Sequence, residues 1–276
     1  MTPKENYDYH KIQLKDHEFK GFSDLIYNLA GIHMSDGKKA LIASRLLKRI
    51  KFYQLSSYNE YLELVKSPKN LDERQIMVNL LTTNETYFFR EPPHFEFLKN
   101  DIIPAIETTG VFRVWSAASS TGEEAYSIAM VLDELMGYKS WEIMASDVNE
   151  VVLEKARLGV YNIERTKDIP ERYLKQYCLR GINEQSGKFL VKKELKNRVE
   201  FRKVNLIEPL PHVGKFDVIF LRNVLIYFDN PTKKKIVESL CATLNKGGFF
   251  IVGHSETLNN VTNIMKQYKP TVYRKA

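Results

Sequence analysis

The stretch Trp115-Ser116-Ala117-Ala118-Ser119-Ser120-Thr121-Gly122-Glu123-Glu124 combines small residues with two adjacent carboxylates. It joins a short apolar run to the start of a helical pattern. Small side chains let a ligand approach the backbone closely. The order is neither GxGxxG nor GxxxxGK followed by Ser or Thr. The dinucleotide fingerprint and the phosphate-cradling loop are therefore both absent. Two carboxylates at a helix start would repel a pyrophosphate and attract a cation. Asp147 follows at the end of the next apolar run, 25 residues after Gly122. A carboxylate at such a strand end accepts hydrogen bonds from ribose hydroxyls. A molecule with an ammonium, a sulfonium and an adenosine answers both features, and S-adenosylmethionine is one. Structural roles compete at each position. Ser120-x-x-Glu123 and Thr121-x-x-Glu124 both fit a capping box, and Asp147 could cap the helix that begins near Val148-Asn149.

These residues need a sheet to hold them. VFRVW (111–115), WEIMASD (141–147), RVEFRKVNL (198–206), FDVIFLRN (216–223) and GGFFIVGH (247–254) read as strands. Helical patterns lie between them, among them 151–158 and 231–244. Alternation at this spacing predicts an α/β fold with a parallel, doubly wound sheet, whose ligands bind beyond the carboxyl ends of the strands. Residues 176–200 break the rhythm and read as a small antiparallel insertion around Gly-containing turns. Before residue 85 the pattern is helical. Apolar residues at three- and four-residue steps predict helices at 17–33, 35–53, 56–66 and 71–82. Gly31 reads as a stop, Ser35-Asp36 as a cap and Ser67-Pro68 as a turn. The predicted division is an all-helical N-terminal domain (1–83) and an α/β domain (84–276) carrying the insertion at 176–200.

Composition narrows the function classes. The chain has 276 residues, 43% of them apolar and 27% charged, which excludes a mainly disordered or collagen-like protein. Its 41 basic and 34 acidic side chains leave +7, a mild surplus that favours anionic partners. Two cysteines, Cys178 and Cys241, exclude a disulfide framework and a Cys-rich zinc module. No metal is expected. No apolar run approaches the ~18 residues of a membrane span, and the first twenty residues lack the apolar core of a signal peptide. The expectation is a cytoplasmic protein with no membrane insertion, a monomer by default.

Further motifs make the sequence specific. TTNETYFFRE (82–91), RVWSAASSTGEEAYSIAM (113–130), ASDVNEVVLEKARLGVY (145–161), VNLIE (204–208), IFLRNVLIYFD (219–229) and GHSE (253–256) occur in this order. In them the chain resembles the chemotaxis receptor glutamate methyltransferases, the CheR family, over nearly its whole length. The resemblance implies a Rossmann-like S-adenosylmethionine-dependent methyltransferase domain with a small antiparallel β insertion, preceded by a helical domain. It also implies the activity: methyl transfer to glutamate side chains on the cytoplasmic helices of chemoreceptors, giving methyl esters used in chemotactic adaptation. Carried over by motif, the cofactor contacts are Asn84, Thr86, Arg90, Glu124, Asp147, Asn205, Leu206, Arg222 and Asn223. Arg90 and Tyr227 would stand nearest the reacting methyl. Some members hold a C-terminal peptide tether of the receptor on the β insertion and others do not. His254 is expected to be a structural histidine at a strand end.

The implied reaction is an in-line displacement by a carboxylate oxygen. Free Glu has a pKa near ~4.3, so the nucleophile is already ionised at neutral pH and no general base is required. Opposite charges vanish as the bond forms, so excluding water should help. A fixed cation beside the carboxylate would stabilise reactant at least as much as transition state, which gives Arg90 an orienting or binding role. Lys38, Lys39, Arg45, Lys48, Arg49 and Lys51 fall in one predicted helix. Arg45 and Arg49, four apart, share a face and are the expected docking residues for Glu-rich receptor helices, although a charge run is often just a solvated face. Two rivals remain. A nucleic-acid methyltransferase is compatible with the positive charge, but RNVLIYF stands where an amino-methyltransferase motif would, and no nucleic-acid partner is expected. A non-catalytic cofactor-binding signalling module would keep the same fold.

Overall fold

The computed structural model describes residues 9–105, 110–137 and 139–276. They fall into two units, Met1–Thr83 with Tyr227–Asp229, and Asn84–Ile226 with Asn230–Ala276. The first eight residues of the expected helical domain lie outside the described residues.

The larger unit is built on a mixed sheet. Its strands in chain order are β1 (Phe112–Ala117), β2 (Trp141–Asp147), β3 (Val160–Asn162), β4 (Cys178–Arg180), β5 (Lys188–Val191), β6 (Val199–Lys203), β7 (Phe216–Leu221), β8 (Leu244–Val252), β9 (Met265–Lys269) and β10 (Val272–Lys275). Seven of them form one sheet in the order β6-β2-β1-β7-β8-β10-β9. The first five are parallel. Parallel strands covered on both faces read as continuous apolar runs, and β1 and β7 are buried at every position but one. β10 and β9 add antiparallel at the edge, so the expected parallel sheet forms the core of a mixed one. β9 has four exposed residues out of five, and its sequence MKQYK offers no alternation to read.

Register aligns the carboxyl ends. Ala117 lies opposite Ser146 on one side and Leu221 on the other. Leu221 lies opposite Val252, and Asp147 opposite Lys203. Five loops therefore leave the sheet at one level. The connecting helices include α6 (Glu123–Met136), α7 (Glu150–Leu158) and α10 (Asn230–Thr243).

The remaining strands make a separate antiparallel sheet, β3-β5-β4. The expected insertion at 176–200 is corrected at both ends. β3 lies before that range, and Val199 already belongs to the main sheet. A three-residue strand directly behind the left-handed Gly159 that ends α7 carries no alternation long enough to detect. Short helices α5 (Pro93–Phe97), α8 (Glu171–Tyr177) and α9 (Lys193–Lys196) complete the unit.

The smaller unit is all-helical: α1 (Asp16–Ala30), α2 (Lys39–Phe52), α3 (Tyr58–Lys66) and α4 (Leu71–Leu81). α1 stops where Gly31 turns left-handed and its N–H donates to the Tyr27 carbonyl at 2.7 Å. The expected Ser35-Asp36 cap makes no side-chain cap bond; Asp36–Lys38 forms a separate 3-10 turn and α2 begins at Lys39. Phe22, Ile26, Ile42, Leu46, Ile50, Tyr58 and Tyr61 fill the core.

One carboxylate organises this core. Glu73 on α4 is 4% exposed. It accepts from Arg49 Nε at 2.8 Å and Nη2 at 2.5 Å, from Tyr53 Oη at 3.0 Å and from Tyr61 Oη at 2.6 Å. Arg45 Nη1 donates to the carbonyls of Leu80, Leu81 and Thr82 at 3.1, 3.1 and 2.9 Å. It thereby caps the negative end of α4. Arg45 and Arg49 do share a face of α2, but that face is the one packed on α4. The expected docking residues Arg45 and Arg49 thus bond to the helical unit's own acceptors. Lys48 and Lys51 are the exposed cations of α2.

Burial alone would raise the Glu73 carboxyl, but the bonds from Arg49, Tyr61 and Tyr53 outweigh it and hold it below the usual range. Its stabilisation is complete above the free-Glu value of ~4.3 and is lost as pH falls through the lower folded value. Glu73→Gln should destabilise the helical unit by roughly 2–3 kcal/mol, less than the usual ~3–5 for breaking a buried pair, because the amide keeps one acceptor. Calorimetric melting of the full chain at pH 7 checks this. Identical melting of variant and parent would contradict it.

Candidate active site

The loop after β1 is held in a strained form. Ala118, Ser120 and Gly122 all have left-handed backbones, with φ of 64°, 49° and 92°. Each such non-glycine residue costs about 1–3 kcal/mol and persists only where its surroundings fix it. Here Ser119 N–H donates to the Ser146 carbonyl at 2.8 Å and Ser120 N–H to Asp147 Oδ2 at 2.9 Å. Ser120 Oγ donates to the Asn84 carbonyl at 2.9 Å. At Gly122 a Cβ would lie 2.8 Å from Ala156 Cβ and 3.2 Å from Tyr161 Oη. Only glycine fits there.

Neither expected capping box forms, because the residue before α6 is Gly122 and makes no side-chain cap bond. The two glutamates separate instead. Glu123 is buried, takes the Thr121 hydroxyl at 2.5 Å and pairs with Arg165 Nη1 at 3.0 Å. Burial pushes its carboxyl up, against the pull of Thr121 and Arg165. Glu124 accepts from Ser116 Oγ at 2.6 Å and from Arg222 Nη1 at 2.9 Å.

Arg222, just beyond β7, is the centre of the site. Its side chain is 1% exposed. It spans Glu124 and Glu91, with Nη2 3.0 Å from Glu91 Oε2. Nη2 also donates to the Arg90 carbonyl. Glu91 further accepts from Asn223 Nδ2 at 3.0 Å and from the His254 N–H at 3.2 Å. Burial alone would raise the Glu91 carboxyl, but the bonds from Asn223 and Arg222 bring it down to about 2. Asn223 is itself left-handed, φ 56°. Glu256 fixes it, taking the N–H groups of Gly253, Asn223 and Leu225 at 2.7, 2.8 and 2.7 Å.

The other predicted residues sit as follows. Asp147 is buried; burial raises its carboxyl while the Asn149 and Ser120 N–H groups oppose the shift. Asn149, and not Asp147, caps α7 with its side chain. Thr86 is buried and its carbonyl accepts from Arg165 Nη1 at 2.5 Å. Arg90 is half-buried and donates to the Glu85 carbonyl at 2.8 Å. Asn205 bonds Glu208 Oε1 at 2.8 Å, and Leu206 is buried beside it. Tyr227 ends the 3-10 turn Leu225–Tyr227. It groups with the helical unit, where its carbonyl accepts the His33 N–H at 2.8 Å.

Bonds thus join Asn84, Thr86, Arg90, Glu124, Asp147, Arg222 and Asn223 around the ends of β1, β2 and β7. Asn205 and Leu206 follow β6 at the neighbouring strand end. Glu91, Arg165 and Glu256 carry no individual expectation from the sequence, and Glu123 is expected there only as a cap or a cation acceptor. Glu91 lies in the TTNETYFFRE motif, but its partner Arg222 is 131 residues away. His254 is exposed and its ring lies 4.8 Å from that of His94. Glu91, His94 and His254 offer three atoms within 4.8 Å that could approach a metal ion. Arg222 already holds the carboxylate and would compete with the ion for it. For S-adenosylmethionine the donor set is apt. Glu124 and Asp147 offer acceptors for an ammonium and for ribose hydroxyls, and buried Arg222 Nε and Ser119 Oγ have no partner among the described residues.

Comparison with known proteins identifies the family. Residues 84–274 match the CheR methyltransferase, SAM binding domain, and residues 17–82 match the CheR methyltransferase, all-alpha domain. The chemotaxis protein methyltransferase of Salmonella typhimurium is 40% identical over 266 residues, 95% of this chain and 91% of that one. The chemotaxis protein methyltransferase 2 of Pseudomonas aeruginosa is 39% identical over 279 residues, 100% of this chain and 99% of that one. That of Borreliella burgdorferi is 38% identical over 276 residues, 96% of each chain. With both of its domains matched and relatives of this similarity along nearly its whole length, the chain belongs to the CheR family of S-adenosylmethionine-dependent chemotaxis protein methyltransferases.

Proposed function

We propose that this chain methylates glutamate side chains on the cytoplasmic helices of chemoreceptors, forming the methyl esters used in chemotactic adaptation. The observation that carries this reading is the meeting of Glu124, Asp147 and Arg222 at the ends of β1, β2 and β7, in a chain with both family domains. When bound, S-adenosylmethionine supplies an electrophilic methyl on a sulfonium. The chain's own residues bind, orient and exclude water. Asp147 and Glu124 hold the ribose and the ammonium; Arg222 lies between Glu124 and Glu91 and offsets one of their two charges, so the pocket wall is not an unscreened pair of anions. Asn205 and Leu206 line the adenosine end. Asn84 and Thr86 lie on the segment that carries Arg90 to the site.

No residue need remove a proton, because the receptor carboxylate arrives ionised. Alignment is then the main contribution, and well-oriented reactants gain roughly 7–11 kcal/mol. Arg90 and Tyr227 supply it: Arg90 binds and steers, and the Tyr227 hydroxyl positions the reacting groups. Lys48 and Lys51 on α2 are the cations open to an acidic receptor helix. A nucleic-acid substrate has less support, since no basic surface interleaved with aromatic stacking residues stands out in the sequence.

Labelled methyl transfer to receptor cytoplasmic fragments tests the function. Base-labile label on the fragments is expected; label on nucleic acid, or none at all, would overturn the reading. In the same assay, Lys48→Glu with Lys51→Glu should raise the receptor KM, an effect that shrinks with added salt. Unchanged KM would remove α2 from the docking surface.

Two variants separate binding from alignment. Arg90→Ala should weaken S-adenosylhomocysteine binding about tenfold or more, as expected for a lost charge-assisted contact. Tyr227→Phe should leave that affinity intact and slow single turnover at saturating donor. Unchanged affinity in the first, or a full rate in the second, would contradict the assigned role.

A further inference from the structure

Two side chains of the small-sheet segment reach the donor site, and the reaction as proposed gives neither a task. Tyr161, in β3, donates its hydroxyl to the Thr121 carbonyl at 2.7 Å. Arg165, three residues beyond β3, donates through Nη1 to the Thr86 carbonyl at 2.5 Å and to Glu123 Oε1 at 3.0 Å. Between them, fully buried Phe88 packs edge-on against Tyr161 at 5.0 Å and lies 5.7 Å from Phe189 of β5. The inner face of the small sheet is therefore the back wall of two donor-site segments, residues 84–88 and the 121–124 turn.

Residues 83–87 have no regular secondary structure. No ladder of backbone bonds fixes them, so their position depends on individual anchors. Ser120 Oγ holds the Asn84 carbonyl at 2.9 Å, and Ser127 Oγ takes the Phe89 N–H at 2.9 Å. Arg165 holds the carbonyl between these two. Thr121 and Gly122 are equally irregular, with Gly122 left-handed, and lead into the first turn of α6. Arg165 touches both segments with one nitrogen, and Tyr161 holds the turn from its other side.

We propose that Arg165 and Tyr161 are positioning residues for donor binding: from the small sheet they set the 84–86 segment and the 121–124 turn at the spacing the methyl donor requires. This rests on the reading that S-adenosylmethionine binds at these strand ends. Neither side chain touches the reacting atoms. Their effect falls on donor affinity and leaves the chemical step alone. The apolar packing of Phe88, Tyr161 and Phe189 persists without either polar contact, so the fold survives their loss.

A plain Arg165→Ala variant also strands buried Glu123 without its cation. The double variant Arg165→Ala, Glu123→Gln removes that charge and still leaves the Thr86 carbonyl unanchored. Calorimetric titration of the full chain with S-adenosylhomocysteine, donor KM and kcat in the methyl-transfer assay, and melting temperature should be measured for Arg165→Ala, Arg165→Lys, the double variant and Tyr161→Phe. Donor KM and product Kd should rise about tenfold or more in Arg165→Ala and in the double variant, and about fivefold in Tyr161→Phe. Kcat at saturating donor and the receptor KM should stay near the parent values, and Arg165→Lys should recover part of the affinity. Parent-like affinity with a lowered melting temperature would mean a purely structural role and overturn the proposal. Full recovery in the double variant would also overturn it, since Arg165 would then only neutralise Glu123. A parent chain without affinity for S-adenosylhomocysteine would overturn the functional reading itself.

Discussion

A guanidinium with 1% side-chain exposure between two carboxylates is the constraint on which the site depends. An isolated buried cation costs several kcal/mol. Glu91 and Glu124 offset that cost. Glu91 comes from the segment that enters the α/β unit, Glu124 from the first turn of α6 and Arg222 from the end of β7. The charge requirement therefore locks three loops together. Glu91 then draws in Asn223 and the His254 N–H, and Glu256 fixes the backbone that carries Asn223. The site is assembled by its own electrostatics, so a ligand need not order it on arrival.

The strained loop beside it follows the same logic. Left-handed Ala118 and Ser120 are unfavourable alone. The bond from Ser120 N–H to Asp147 and the steric requirement at Gly122 hold them there. Small residues keep the backbone accessible, and the carboxylates around it are paired or bonded instead of bare. Such a wall would suit the ammonium and hydroxyls of the proposed donor. That suits a reaction in which opposite charges cancel and water is a hindrance.

Much of this was legible in the sequence. VFRVW, WEIMASD and FDVIFLRN announce buried parallel strands by their unbroken apolar content, and polar residues at their carboxyl ends mark where a ligand binds. The periodic helices before residue 85 are equally plain. What was hidden depended on distance or exposure. MKQYK became an edge strand because it pairs with β10, which local pattern cannot reveal. VYN at 160–162 was too short to alternate. Arg45 and Arg49 looked like free cations because Glu73 and the carbonyls of Leu80, Leu81 and Thr82 lie on another helix. The capping boxes at 120–124 failed because Gly122 stands at the cap position, and Arg165 and Arg222, far along the chain, bind the two glutamates.

The central claim is that the paired Arg222 and the strained 118–124 loop form a donor site before any donor is present. A crystal structure of the chain with S-adenosylhomocysteine bound tests it most directly. The account predicts the ligand against Glu124, Asp147 and Arg222, with the left-handed turn and both ion pairs of Arg222 unchanged. A ligand seated elsewhere, or one that binds only after Arg222 leaves Glu91 and Glu124, would contradict it.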